Sequence, residues 1–216
     1  MKNKDRIQAS NAKLRECIAK AENLPNREDG GGDVTEFEKY FAGEPAFLTL
    51  PNATEIGYNA FNDEEKEMCN LIGISIPKVT KIDSQAFMLC CGLETVEMPS
   101  VKTIGDDAFY GCESLNVELP ESLGIQGLGN GAFGECNKLE HITIPKGTGQ
   151  ILGDPFPYCY GLKTVIFRDH PYFVSMFYGC TNITDIYVPW SEEQNGYYAP
   201  PWGAVNATVH YNYKED

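Results

Sequence analysis

No long apolar run occurs in this sequence. Nothing in its 216 residues approaches the roughly 18 consecutive apolar positions of a membrane-spanning helix. The opening Met1-Lys2-Asn3-Lys4-Asp5-Arg6 is basic enough for a secretory leader. The next segment, Ile7-Gln8-Ala9-Ser10-Asn11-Ala12-Lys13, is not an apolar core. The expectation is a chain made in the cytoplasm without a signal peptide and first folded under reducing conditions. Positive charge is scarce too: 17 Lys and Arg stand against 31 Asp and Glu, for a net charge of −14. No Lys/Arg run offsets the deficit, which argues against a nucleic-acid or anionic-membrane partner. The acidic runs Asp63-Glu64-Glu65, Glu192-Glu193 and Glu215-Asp216 are scattered and read as solvated surface. Histidine is limited to His141, His170 and His210, and no Cys-x-x-Cys pair exists. Zinc-type ligand spacing is therefore missing, and neither metal nor cofactor is expected. There is no Gly-x-Ser-x-Gly elbow. Gly127-Leu128-Gly129-Asn130-Gly131 lacks the spacing of a phosphate loop and reads as a corner. No catalytic residue is assigned. A hydrolase stays as a remote alternative, requiring one histidine to meet a carboxylate and a nucleophile.

What the chain has instead is a repeated phrase, Ala-Phe-x-x-Cys-x-x-Leu-x-x-Val-x-Met-Pro. It is clearest from Ala86-Phe87 through Cys90, Leu93, Val96 and Met98 to Pro99. It returns around Phe109/Cys112, Phe133/Cys136, Phe156/Cys159 and Phe177/Cys180, with a degenerate copy at Ala60-Phe61. Successive phenylalanines are 26, 22, 24, 23 and 21 residues apart. A period in the twenties indicates a solenoid, in which each coil packs only on its neighbours. Each coil offers a short alternating strand ending near proline: Ile74-Ser75-Ile76, Val96-Glu97-Met98, Val117-Glu118-Leu119, Ile142-Thr143-Ile144, Val165-Ile166-Phe167 and Ile186-Tyr187-Val188. Seven such strands, counting Phe47–Leu50, would make a sheet roughly 34 Å long. After the strand comes a turn such as Thr103-Ile104-Gly105-Asp106-Asp107. The five cysteines three residues after each Phe, with Cys69 as their counterpart in the first coil, form an inward column of reduced thiols. Cys91 falls at a mostly polar repeat position and is expected to be exposed and more reactive.

Residues 1–24 read as a helix with Ile7, Ser10, Leu14, Cys17, Ala21 and Leu24 at heptad positions and Ile18 beside the seam. It docks as a cap, self-associates through Ile7, Leu14, Ile18 and Leu24, or is a frayed tail. Residues 25–46 form a Gly-rich linker and N-terminal cap, 47–189 the solenoid and 190–216 an aromatic C-terminal cap. Ala207-Thr208-Val209-His210-Tyr211 is a candidate last strand.

The repeat resembles the BspA-like branch of the leucine-rich repeats over residues 47–189. The likeness is carried by the Ile-Gly-x-x-Ala-Phe turn, Cys three after Phe, Leu three after Cys and the Pro-ended strand. Pro155, Ser175-Met176 and Arg168 depart from the pattern. The resemblance implies an α/β repeat solenoid, with leucine-rich-repeat coils, a parallel sheet on one face and here a short N-terminal helix. It also implies a recognition scaffold, often at cell surfaces and rarely catalytic. The tail from Pro201 to Asn212 looks like the ending of repeat proteins encoded by bacteriophages and prophages of gut bacteria, which would place the chain on a virion.

Function is then sought at positions the repeat leaves free. The outward strand column runs Thr49, Ser75, Glu97, Glu118, Thr143, Ile166, Tyr187, from polar through acidic to apolar and aromatic. Nine of twelve tyrosines and both tryptophans lie after residue 150. Exposed Tyr and Trp favour interfaces and stack on sugar rings. The expected surface comprises Glu97, Glu118, Thr143, Ile166, Tyr187, Trp190, Tyr197, Tyr198 and Trp202, unless the late aromatics only pack the cap. The expected partner is a protein or cell-surface glycan. The alternative is a structural virion or tail component assembled through the N-terminal helix.

Overall fold

The computed structural model describes residues 45–62, 70–151, 153–173, 175–195 and 200–214. The expected helix with Ile7, Leu14, Ile18 and Leu24, together with Cys69, Tyr197 and Tyr198, lies outside them. The main strands pair parallel in two sheets. β1 (Ala46–Thr49), β3 (Leu71–Ser75) and β5 (Thr95–Glu97) make the first. β7 (His141–Ile144), β9 (Thr164–Phe167), β11 (Asp185–Tyr187) and β12 (Thr208–His210) make the second. Registers run Thr49–Ser75–Glu97 and Thr143–Ile166–Tyr187–His210. Period-two alternation therefore turns Leu48, Ile74, Val96, Ile142, Val165 and Ile186 inward, and all six are buried.

One continuous sheet was expected, and the structure breaks it at the third coil. Val117-Glu118-Leu119 is not a strand. The cause is one missing residue. Leu93-x-x-Val96, Leu139-x-x-Ile142, Leu162-x-x-Val165 and Ile183-x-x-Ile186 share a spacing, but here it is Leu115-x-Val117. Asn116 N–H donates to the Glu94 carbonyl at 3.0 Å, as Glu94 N–H does to Ile72 at 2.9 Å, so it occupies the Glu94 position. The counterpart of Thr95 does not exist. Among the described residues, no backbone hydrogen bond joins Val117, Glu118 or Leu119 to either neighbouring strand. Their inward side chains still pack, with Val117 at 6% and Leu119 at 7% exposure.

The Ile-Gly segment, expected as a turn, is a second short strand of each coil. β2 (Glu55–Ile56), β4 (Lys81–Ile82) and β6 (Thr103–Ile104) form a parallel ladder, continued by an Ile104–Leu128 bridge. β8 (Gln150–Ile151) pairs with β10 (Tyr172–Phe173) in the same way. Coils approach closely at this edge. A Cβ on Gly105 would sit 2.5 Å from the Ser84 backbone nitrogen, so only glycine fits.

The α/β expectation is also corrected, because the described part of the coils returns by turns. Among the described residues the helical content is one 3-10 turn, Glu192–Gln194. Two left-handed positions per turn prevent a helix. One precedes the repeat Ala (Asn59, Gln85 and Asp107, φ 54–58°). The other lies two after Phe (Leu89, Gly111, Glu135, Tyr158 and Gly179, φ 57–77°).

Inside, Phe61, Phe87, Phe109, Phe133, Phe156 and Phe177 stack with centroids 5.0–6.2 Å apart. The cysteines have a specific task. Each thiol donates to the carbonyl of the Phe one coil back, from Cys90 to Phe61 (2.9 Å) through Cys180 to Phe156 (3.0 Å). Burial pushes the Cys112 and Cys136 thiols well above their ordinary range, so these two are unreactive.

Candidate recognition surface

The sheet's outward face carries the expected column in two halves. On the first sheet and the broken coil, Glu97, Glu118 and Glu121 are exposed. With Ser75, Met98 and Leu119 among its walls, they line an open groove of about 600 Å³. This groove lies along the interruption of the ladder. Arg168, the residue that replaces the strand-ending proline, reaches back to ion-pair with Glu121. That pair is partly exposed and contributes at most about 1 kcal/mol.

On the second sheet the column reads Thr143, Ile166, Tyr187, His210, all half-buried. The Tyr187 and His210 rings stack with centroids 4.5 Å apart and planes 12° apart. Tyr213 tilts against Tyr187 at 4.8 Å. His210 Nε2 lies 2.7 Å from Asp185 Oδ1, and the Thr184 hydroxyl donates to Asp185 Oδ2 at 2.7 Å. Hydrogen bonding to His210, then to Thr184, holds the Asp185 carboxyl below the usual range. The parallel register thus brings an aromatic pair, an imidazole and a carboxylate onto one patch. Sequence reading found Tyr187 and Ile166 there but missed His210, Asp185 and Tyr213. The signal available was the expected last strand, Ala207 to Tyr211, whose fourth residue falls beside Tyr187.

The tryptophans are corrected. Trp190 and Trp202 are 4% and 5% exposed. They pack edge-on against Phe167 at 5.5 and 6.0 Å and lie 6.1 Å from each other. Trp190 Nε1–H donates to Asn195 Oδ1 at 2.9 Å, and Asn195 in turn donates to the Tyr211 hydroxyl at 2.8 Å. A terminal coil leaves one apolar face without a following coil, and these rings cover it. Neither is available to a partner.

The hydrolase arrangement is not assembled among the described residues. His210 meets a carboxylate, but no Ser, Thr or Cys is hydrogen-bonded to its ring. His170 lies edge-on to Trp190 at 4.4 Å, with Nε2 3.0 Å from the Gln194 carbonyl. No group of metal-ligating side chains occurs among the described residues. The five column thiols are free, whereas Cys91 is disulfide-bonded. This overturns its expected role as a reactive thiol, since a sulfur held in a disulfide is not a nucleophile.

Coils of 21 to 26 residues that stack an inward Phe on the next and, apart from the third, carry a parallel strand define a leucine-rich repeat solenoid. The BspA type leucine rich repeat region matches residues 54–184 in six copies, and the chain belongs to that family. A leucine-rich repeat protein of T. pallidum is structurally similar, with 24% identity and a TM-score of 0.56 over 66% of this chain and 69% of that one. A leucine-rich repeat protein from Bacteroides ovatus matches at 20% identity and TM-score 0.34 over 77% of this chain and 61% of that one. A leucine rich cell surface protein from Faecalibacterium prausnitzii matches at 18% identity and TM-score 0.44, over 82% and 62% respectively. The chain thus spans about three fifths of the latter two. None of the three is described as a bacteriophage protein. No curated protein matches the chain.

Proposed function

We propose that this protein is a non-catalytic recognition module that holds a protein or glycan surface against the outward face of its second sheet. The observation that carries this is the Ile166–Tyr187–His210 row with Tyr213 beside it. Four half-buried apolar and aromatic side chains share one patch, flanked by the Asp185 carboxylate. Rigid rings supply contact area at low entropic cost, while the imidazole and carboxylate supply directional hydrogen bonds. A sugar ring or a loop fits such a patch, and the exposed Glu97 and Glu118 farther along the same face favour a neutral or basic occupant. The Cys91 disulfide supports an oxidising workplace, such as a cell exterior, over the reducing cytosol.

The test is a pair of arrays, one of cell-surface glycans and one of extracellular protein domains. The double variant Ile166→Ser/Tyr187→Ser is compared with the parent. Loss of the parent's hits by about 30-fold in affinity, in a folded double variant, is expected for a hot-spot pair. Unchanged binding in the double variant sinks the reading.

A further inference from the structure

On the turns that come after the repeat phenylalanines, four tyrosines line up beside one carboxylate, which Tyr110 bonds and Tyr158 approaches, while Tyr160 and Tyr178 pack on Tyr158. Tyr110 follows Phe109, Tyr178 follows Phe177, Tyr158 lies two residues after Phe156, and Tyr160 follows Cys159. Tyr158, Tyr160 and Tyr178 are 36%, 48% and 60% exposed. The rings meet at steep angles: Tyr158 is edge-on to Tyr178 (5.4 Å, 78°) and tilted to Tyr160 (6.3 Å, 48°). Glycines of the next coil make room for them. A Cβ on Gly134 would lie 2.6 Å from the Tyr110 ring, and one on Gly179 would lie 2.4 Å from the Tyr158 ring.

The carboxylate is Glu135. The Tyr110 hydroxyl donates to its Oε1 at 2.5 Å, and Oε2 has no hydrogen-bond partner among the described residues. No Lys or Arg ion-pairs with Glu135 among the described residues. The Tyr110 bond to Glu135, followed by burial, pushes the Tyr110 hydroxyl up to about 12. Asp107 adds negative charge within reach of the same hydroxyl. Glu135 and Tyr158 both hold a left-handed backbone (φ 57° and 59°), at a turn position filled by Gly111 and Gly179 in two other coils and by Leu89 in a third. A non-glycine residue holds that conformation at a free-energy cost. Keeping a side chain there points to a use for it.

We propose that this patch receives a guanidinium, the arginine side chain of an exposed loop on a partner protein. A cation over tyrosine faces is attracted by their quadrupoles. A guanidinium alone among side chains can stack on rings and donate two parallel hydrogen bonds to a carboxylate at once. Glu135 has the free oxygen, and the chain's net charge of −14 brings a basic partner toward it. A neutral sugar would use the rings and donate a hydroxyl to Glu135, but it would draw nothing from the charge. The patch lies on turns and not on the sheet, so its failure would leave the sheet-face reading untouched.

The experiment titrates protein carrying 13C-labelled tyrosine rings with N-acetyl-arginine amide, with its neutral citrulline analogue and with maltose. The ring signals of Tyr158 and Tyr178 should shift with the arginine probe. The citrulline analogue should bind at least about fivefold more weakly, the combined loss of an exposed cation–π contact and of the charge paired with Glu135. Glu135→Gln, which preserves shape, should shrink that difference to the share the rings carry, while Glu118→Gln should leave it intact. Tyr178→Ala, which removes the most exposed ring, should weaken arginine binding without disturbing the packing over Gly179. Equal binding of arginine and citrulline, indifference to Glu135→Gln, or larger shifts with maltose than with arginine would each overturn the proposal.

Discussion

Inserting a single threonine between Asn116 and Val117 should stabilise this protein. The insertion restores the spacing found in every other complete coil and supplies the missing counterpart of Thr95. Val117 and Leu119 already point inward, so the core need not be rebuilt. What changes is the ladder. A three-residue parallel strand between two neighbours gains on the order of four backbone hydrogen bonds, about two to each side. At about 1 kcal/mol net each they contribute about 4 kcal/mol. Ordering one added residue opposes this by roughly 1–2 kcal/mol, leaving a gain of about 2–3 kcal/mol. Urea unfolding monitored by circular dichroism measures it. Amide hydrogen exchange gives a second readout, because the edges of β5 and β7 that face the gap should become protected. The same insertion after Leu139, where the spacing is complete, should destabilise. A destabilised or unprotected coil-three insertion would refute the missing residue as the cause of the broken sheet.

The same geometry fixes three further outcomes. Phe133→Ala removes a fully buried ring stacked on both Phe109 and Phe156, whereas Phe177→Ala removes one that, among the described residues, stacks on Phe156 alone. Each should cost several kcal/mol in urea unfolding, with Phe133 the more expensive by about 1 kcal/mol for its extra stacked pair. Thiol titration of denatured, unreduced protein should count two fewer thiols than the eight cysteines of the sequence, and a full count would remove the Cys91 disulfide. Finally, the Tyr110 hydroxyl is raised in the folded state, so its bond to Glu135 stabilises fully below pH 10 and is lost as pH climbs toward 12. The stability difference between the parent and Tyr110→Phe should therefore shrink over that window, and a difference that holds constant through it would contradict the bond.

Much of the interior was legible because inward positions obey one rule per coil. Phe87, Cys90, Leu93 and Val96 repeat with their chemistry intact, and a residue that must fill the same hole in each coil betrays itself by recurring. The thiol ladder needed coordinates, since nothing in the spacing says which carbonyl a cysteine will face. The second ladder was hidden because two-residue strands such as Lys81–Ile82 leave no alternation to read. The gap at Asn116 was visible as one absent residue, but its consequence depends on register, where a single step decides every backbone pair. Trp190 and Trp202 misled for a physical reason: the same large rings serve an interface or cover a terminal coil, and composition does not distinguish the two. Cys91 has polar counterparts in other coils, and that comparison is blind to a disulfide.

The departures from the repeat share a logic that bears on function. A solenoid can vary any position that its neighbours do not constrain, and stacking then sums the variants into a surface. Tyr187, Ile166 and His210 are outward strand positions made contiguous by register. Tyr110, Glu135, Tyr158 and Tyr178 are turn positions made contiguous by the stacking of coils three through six. The two patches lie on different parts of the coil, so one chain can present an aromatic shelf on its sheet and a carboxylate among tyrosines on its turns. Variants at the exposed turn residues, such as Tyr178→Ala, should alter binding while leaving unfolding within about 0.5 kcal/mol of the parent, as exposed substitutions generally do. If variants in one patch instead lowered stability like those of the phenylalanine stack, that patch would belong to the packing of the coils and not to a partner.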